Sequence, residues 1–192
     1  MDFLLELDQK LFLELNGFHT PWLDQVMFFL TGTTAWLPLY AFLLYLIVRV
    51  YGKNAWIPVV AIGLTILFAD QFTSSVMKPL FERFRPSHEP ALEGLVHTVN
   101  NYRGGRYGFA SSHAANTFGV ATLMWMVLAR YRPWIALLFP WSLFVGYTRI
   151  YLGVHYPGDI LAGCLVGFLS ALLAWFLALW LGRSIKRTPI DR

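Results

Sequence analysis

The sequence predicts an all-α fold, a polytopic transmembrane helix bundle of five to six spans preceded by an N-terminal amphipathic interfacial helix. Three observations carry this. Of 192 residues, 57% are hydrophobic and 14% charged, where soluble domains run at about 45–50% and about 25%. Mean hydropathy is +0.52, and the apolar residues gather into runs close to the ~20 residues that cross a bilayer core as a helix. Aromatic residues make up 17% of the chain, with 8 Trp, which suits rings anchoring helix ends at the lipid–water boundary.

Residues 2–16 set Leu4, Leu7, Leu11 and Leu15 at helical spacing among Asp2, Glu6, Asp8 and Glu14. That stretch is too charged to span, so it reads as a helix lying in the interface, ended by Asn16-Gly17. Thr20 is placed to cap, and Pro21 to open, a second short helix from Trp22 to Leu30. Spans are expected near 34–50, 55–77, 112–129, 134–150 and 159–181, with 22–30 either adding a half-span or extending the first span through Gly32. Tyr51-Gly52-Lys53-Asn54 and Tyr131-Arg132-Pro133 make tight connections. The segment 79–110 is long and rich in Pro, Gly, Asn and charge, and loops of that length are usually functional. The organisation is then an interfacial helix at 1–19, one membrane domain at 20–182 and a short basic tail at 183–192.

Several function classes drop out. Net charge is +4, but the basic residues sit at helix ends and form no solvated stripe, which argues against nucleic acid as a partner. Cys164 is the single cysteine, so neither an intramolecular disulfide nor a cysteine metal site is available. The acidic amino terminus lacks a basic n-region, so no cleaved signal peptide is expected.

Counting helices brings three short stretches to one membrane face. Lys78 closes the second span, and Ser111-Ser112-His113 opens the third. Arg149 closes the fourth, and His155 and Asp159 open the fifth. The opposite face collects Arg49, Lys53, Arg130, Arg132, Arg183, Lys186, Arg187 and Arg192. The positive-inside rule makes that opposite face cytoplasmic. The expected location is the inner (cytoplasmic) membrane, multi-pass, with the site facing outward, which is the periplasm in a Gram-negative cell.

The chemistry of these stretches is that of phosphoryl transfer. His155 and Asp159 stand at i, i+4, where a carboxylate can accept the imidazole Nδ1–H and leave Nε2 free. A capping Asp beside an interfacial His would look the same. Ser111 and Ser112 suit a helix N-cap, and the N–H groups of a helix start also attract an anion. His113 on that first turn could give a proton to a departing oxygen. Lys78, Arg85 and Arg149 could each be snorkelling or solvated cations, yet three of them beside two histidines match the charge that a phosphoryl group requires. Arg103 and Arg106, on the Gly104-Gly105 turn, could contact a second phosphate or a sugar head group.

Lys78-x6-Arg85-Pro86, Ser111-x-His113 and Arg149-x5-His155-x3-Asp159 together resemble the three-part signature of the type 2 phosphatidic acid phosphatase family. The resemblance spans roughly residues 20–182. Ala110 and Ser112 stand where Pro and Gly are commoner, and Thr148 stands where Ser is commoner. The resemblance implies that His155 is the nucleophile, Asp159 its orienting carboxylate and His113 the acid and then the base. It implies that Lys78, Arg85, Arg149 and Ser111, with nearby N–H groups including that of Ser112, hold the phosphoryl oxygens. No metal or cofactor is implied, and the partners are the bilayer and a membrane lipid phosphate. Undecaprenyl diphosphate is the favoured substrate. Lipid A phosphate, phosphatidylglycerophosphate and transfer to an acceptor lipid are alternatives. A non-enzymatic transporter or helical scaffold would leave the coincidence of motifs unexplained.

Overall fold

The computed structural model describes residues 2–187, so Met1 and the tail residues 188–192 lie outside it. Among the described residues there are seven helices: α1 (Asp2–Gly17), α2 (Pro21–Leu30), α3 (Leu37–Tyr51), α4 (Trp56–Phe81), α5 (Ser112–Leu128), α6 (Leu138–Tyr151) and α7 (Pro157–Arg187). Three stretches among the described residues are long and apolar enough to cross a membrane: Thr33–Asn54, Trp56–Phe81 and Pro157–Arg183. Of the five to six spans expected from the sequence, these three meet the length and composition of a crossing helix. The stretches at 112–129 and 134–150 fold as helices of 17 and 14 residues. Between α5 and α6, Pro133–Leu137 winds as a 3₁₀ turn, because Pro133 supplies no amide to continue a helix. α7 runs on through Arg187, and the rest of the expected basic tail lies outside the described residues.

α5 sits at the centre, with Ala114, Ala115, Gly119, Ala121, Leu123, Met124 and Leu128 buried along its length. α7 packs against it through glycines. A Cβ on Gly163 would lie 2.5 Å from the Ser111 carbonyl, and one on Gly167 would lie 2.2 Å from that of Ala115. Small residues four apart let two helix backbones touch, which replaces the missing hydrophobic drive between helices in lipid. This close seam fixes the start of α5 against the start of α7.

The amino-terminal helix is docked as well as amphipathic. Leu4, Leu7 and Leu11 face outward, as the leucine stripe predicts, while Phe12 and Asn16 are buried. Phe12 packs edge-on to Tyr156 with ring centroids 5.4 Å apart. Asn16 Nδ2 donates to the carbonyls of Ile150 (3.1 Å) and Tyr151 (2.9 Å), and Asn16 Oδ1 accepts from the His97 amide (2.8 Å). α2 begins as expected, with Thr20 Oγ1 accepting from Leu23 N–H. Its Asp24 binds both His97 (2.9 Å) and the Tyr151 hydroxyl (2.6 Å). α1 and α2 thus clamp the far end of α6 and the long loop, which is the end of the bundle where the site lies.

Candidate active site

The site is assembled where α4, α5, α6 and α7 meet the 82–111 loop. Pro157 sits at the first helical position of α7, and Asp159 lies in its first turn. Asp159 Oδ2 accepts from the Tyr156 amide (3.0 Å) and stands 3.2 Å from His155 Nδ1. Arg85 Nη1 lies 3.2 Å from His155 Nε2. A guanidinium only donates, so Nε2 must accept and the ring proton must sit on Nδ1, facing Asp159. These two contacts fix the tautomer that leaves Nε2 with a lone pair.

The loop is pinched to aim Arg85. Arg85 N–H donates to the Arg106 carbonyl (3.1 Å), and Gly108 N–H donates to that of Arg83 (2.9 Å). Pro86 keeps Arg85 extended (φ −68°, ψ 153°). Nε of Arg85 donates to the Tyr107 carbonyl (3.2 Å) and Nη1 to that of Val154 (3.2 Å). Gly104 roofs this guanidinium at a positive φ of 66°, where a Cβ would come within 2.9 Å of Nη1. The Gly-Gly turn is therefore a fitted cover, and not only a flexible hinge.

The other cations are held by hydroxyls. Phe72–Met77 is wound as a π-helix, a form common at functional sites. It turns Thr73 and Ser74 together onto Ser112 (2.8 and 3.2 Å). Lys78 Nζ donates to Ser112 Oγ (2.8 Å) and Ser74 Oγ (3.2 Å). Ser111 caps α5 by accepting from Ala114 N–H (3.4 Å), and its own N–H donates to the Asp159 carbonyl (3.0 Å). Arg149 Nη1 donates to Thr31 Oγ1 (2.7 Å) and Nη2 to the Tyr102 hydroxyl (3.0 Å). Lys78, Arg85 and Arg149 all act electrostatically on both His113 and His155, so the two imidazoles share one field.

Among the described residues, none of these three cations has a carboxylate within salt-bridge distance. Arg85 is 8% exposed and Arg149 2%, and the Nε–H of Arg149 is buried with no acceptor. Buried charge is costly unless compensated. An anion with several oxygens could supply the missing counter-charge to such a cluster.

Sequence reasoning missed Arg83 and Asp8. Arg83 donates to Asp159 Oδ1 (3.1 Å) and to Asp8 Oδ2 (2.7 Å), and its guanidinium lies 4.0 Å from the Tyr156 ring centroid. Asp8 Oδ1 also accepts from the Gly158 amide (2.7 Å), at the first turn of α7. On sequence alone, Asp8 is one of several charges on the polar face of α1, and Arg83 is one basic residue in a charged loop. Nothing in either position marks a partly buried bridge. Arg103 and Arg106 are not brought into the cation cluster. Arg103 turns onto the Ser87 carbonyl, and Arg106 stacks over Phe84 and Tyr107 at 5.0 and 5.6 Å.

Burial, and then the charges of Arg85, Arg149 and Lys78, hold the His155 imidazole well below its usual 6.5. A histidine with a depressed pKa stays neutral above that depressed value. If neutral His155 is required, the acid limb of kcat/KM, which reports the free enzyme, falls below pH 6.5. A rate profile from pH 4.5 to 8.5 measures it, and an acid limb above 6.5 would assign control to a different group.

Residues 54–183 match the PAP2 superfamily. The chain is 44% identical to the lipid A 4'-phosphatase of Bacteroides thetaiotaomicron, over 93% of its own length and 80% of that protein. It is 37% identical to the lipid A 4'-phosphatase of Porphyromonas gingivalis, over 98% and 82%. The crystal structure of Aquifex aeolicus LpxE superposes with a TM-score of 0.66 at 26% identity, covering 88% of this chain and 94% of that one.

Proposed function

The chain belongs to the PAP2 superfamily and is a metal-independent membrane phosphatase of that type, and from that premise we propose that it hydrolyses a phosphate monoester of lipid A through a phosphohistidine on His155. The observation that carries the substrate is the 44% identity, over nearly the whole chain, with a lipid A 4'-phosphatase. The sequence reading puts undecaprenyl diphosphate first, partly on the Arg103 and Arg106 pair as a site for a second phosphate. Both are engaged elsewhere, Arg103 with Ser87 and Arg106 with two aromatic rings, so that support falls away and lipid A takes its place.

In the proposed reaction, Lys78, Arg85 and Arg149 hold the equatorial phosphoryl oxygens, helped by the Ser111–Ser112 end of α5. Nε2 of His155 attacks phosphorus as the bond to the lipid oxygen breaks, and His113 gives its proton to that oxygen. Asp159 holds Nδ1–H and balances the positive charge that forms on the ring. Water then attacks phosphorus, His113 takes its proton, the phosphorus–nitrogen bond breaks and inorganic phosphate leaves. Covalent catalysis of this kind divides one displacement into two easier steps. The proposed orientation places the site on the outer, non-cytoplasmic side of the inner membrane, because the connections bearing Arg49, Lys53, Arg130 and Arg132 lie at the opposite helix ends.

Phosphate release by the purified protein in detergent, with EDTA throughout, tests this. Lipid A is expected to exceed undecaprenyl diphosphate and phosphatidylglycerophosphate by at least about tenfold in kcat/KM. The reverse ranking would restore the diphosphate, and loss of all release in EDTA would contradict the chemistry.

A further inference from the structure

Beside His113 the protein buries an amide oxygen that it does not itself use. A cavity of 530 Å³ runs between α3, α4 and α5, with His113, Asn116 and Thr117 among its lining residues. That volume lies within the ~300–1,000 Å³ usual for ligand sites. Oδ1 of Asn116 is buried and has no hydrogen-bond partner. The neighbouring Thr117 hydroxyl is already committed to the His113 carbonyl (2.9 Å) and to Ser142 (3.0 Å). Asn116 stands one helical turn below His113, on the same face of α5.

Apart from Thr33 and Tyr40 the rest of the lining is apolar, and its exposure shows which way the cavity opens. Leu43, Val120 and Met124 are buried and form the floor, while Leu44, Val59 and Ile66 are exposed and form the rim. The cleft therefore opens sideways, toward lipid. From His113 to Met124 an α-helix descends about 16 Å, close to half of a ~30 Å hydrocarbon core.

We propose that this cleft seats a long acyl chain of the lipid substrate, and that Asn116 Oδ1 accepts a hydrogen bond from a hydroxyl or amide N–H near the head-group end of that chain. The inference rests on the phosphatase reading and deepens it. A buried carbonyl oxygen without a donor is unfavourable, and a bare hydrocarbon or polyprenyl tail offers none. An N-linked, hydroxylated acyl chain offers two within reach of the first helical turn below the phosphate. Asn116 would then discriminate among lipids by the polar groups at the root of the tail, leaving chain length to the apolar walls.

Two synthetic sugar monophosphates test this. They share head group and chain length; one carries an N-linked 3-hydroxyacyl chain and the other an O-linked plain acyl chain. The unmodified protein is expected to favour the first by about fivefold in kcat/KM, the worth of one hydrogen bond, and Asn116→Leu is expected to erase the preference. Equal turnover by the unmodified protein, or a preference that survives Asn116→Leu, overturns the inference and leaves the phosphatase reading standing. Should Asn116→Leu not fold, Val59→Trp on the outward rim provides a second test. It is expected to lower the ratio of long-chain to acetyl-chain turnover by about tenfold, and an unchanged ratio overturns the cleft. No phosphate from any of these compounds overturns both the phosphatase reading and the inference.

Discussion

Replacing His155 with alanine is expected to abolish phosphate release, with a loss of roughly 10⁴- to 10⁶-fold, the range seen when one member of a concerted catalytic set is removed. The ring is 2% exposed, and it has Asp159 at 3.2 Å on Nδ1 and Arg85 at 3.2 Å on Nε2. Among the described residues, no other imidazole combines a carboxylate on one nitrogen with a guanidinium on the other. His97 also meets a carboxylate, Asp24 (2.9 Å), but its opposite face is stacked on His19 at 3.7 Å. His155→Ala is small, so the cations should still bind phosphate, and KM for any residual activity should rise little. The companion experiment is trapping. His113→Ala slows both proton transfers, and a radiolabelled substrate with a good leaving group should then leave acid-labile, alkali-stable label on His155. Label on a carboxylate or a hydroxyl, or full turnover by His155→Ala, would remove the phosphohistidine from the mechanism.

How much of this the sequence could tell follows from what each signal depends on. The joining of Lys78, Ser111, Ser112, His113, Arg149, His155 and Asp159 at one end of the bundle needs only helix counting, because each lies at a helix terminus. The cap on α2 and the outward leucines of α1 are likewise local, set by Thr20 and by 3.6-residue spacing. What stays hidden depends on contacts across long stretches of chain. Ser112 differs from the commoner glycine, and only the folded chain shows its hydroxyl gathering Lys78, Thr73 and Ser74. Arg103 and Arg106 look free in sequence because their partners, the Ser87 carbonyl and the Phe84 and Tyr107 rings, are brought near by a loop without helical periodicity. The number of spans is less legible, because a hydropathy window cannot tell a lipid-facing helix from one buried among others. α5 is apolar mainly because it is the core.

Arg83→Met is expected to lower kcat by about 10²-fold with KM changed by no more than about threefold, the behaviour of a residue that positions a catalytic group from behind. Asp159 is fully buried, and its two oxygens have separate duties. Oδ2 serves the Tyr156 amide and His155, while Oδ1 meets Arg83 at 3.1 Å. Without Arg83 a buried carboxylate keeps its desolvation cost and loses its cation, so protonation becomes easier and the hold on the His155 Nδ1–H weakens. The acid limb of kcat/KM should move along with kcat, which a purely structural loss would not produce. Arg83→Lys, keeping the charge, should recover part of the rate. Asp8 separates the two halves of the bridge. Asp8→Asn keeps an oxygen for the Gly158 amide and loses only the ion pair, and is expected to cost about threefold, in keeping with a partly exposed salt bridge. Asp8→Ala loses both contacts and should cost about tenfold. Arg83→Met with normal kcat, or equal rates for the two Asp8 variants, would refute the bridge. If the bridge holds, a helix whose outward face carries Leu4, Leu7 and Leu11 is wired to the carboxylate behind the nucleophile, and the seating of that helix in lipid sets the alignment of His155.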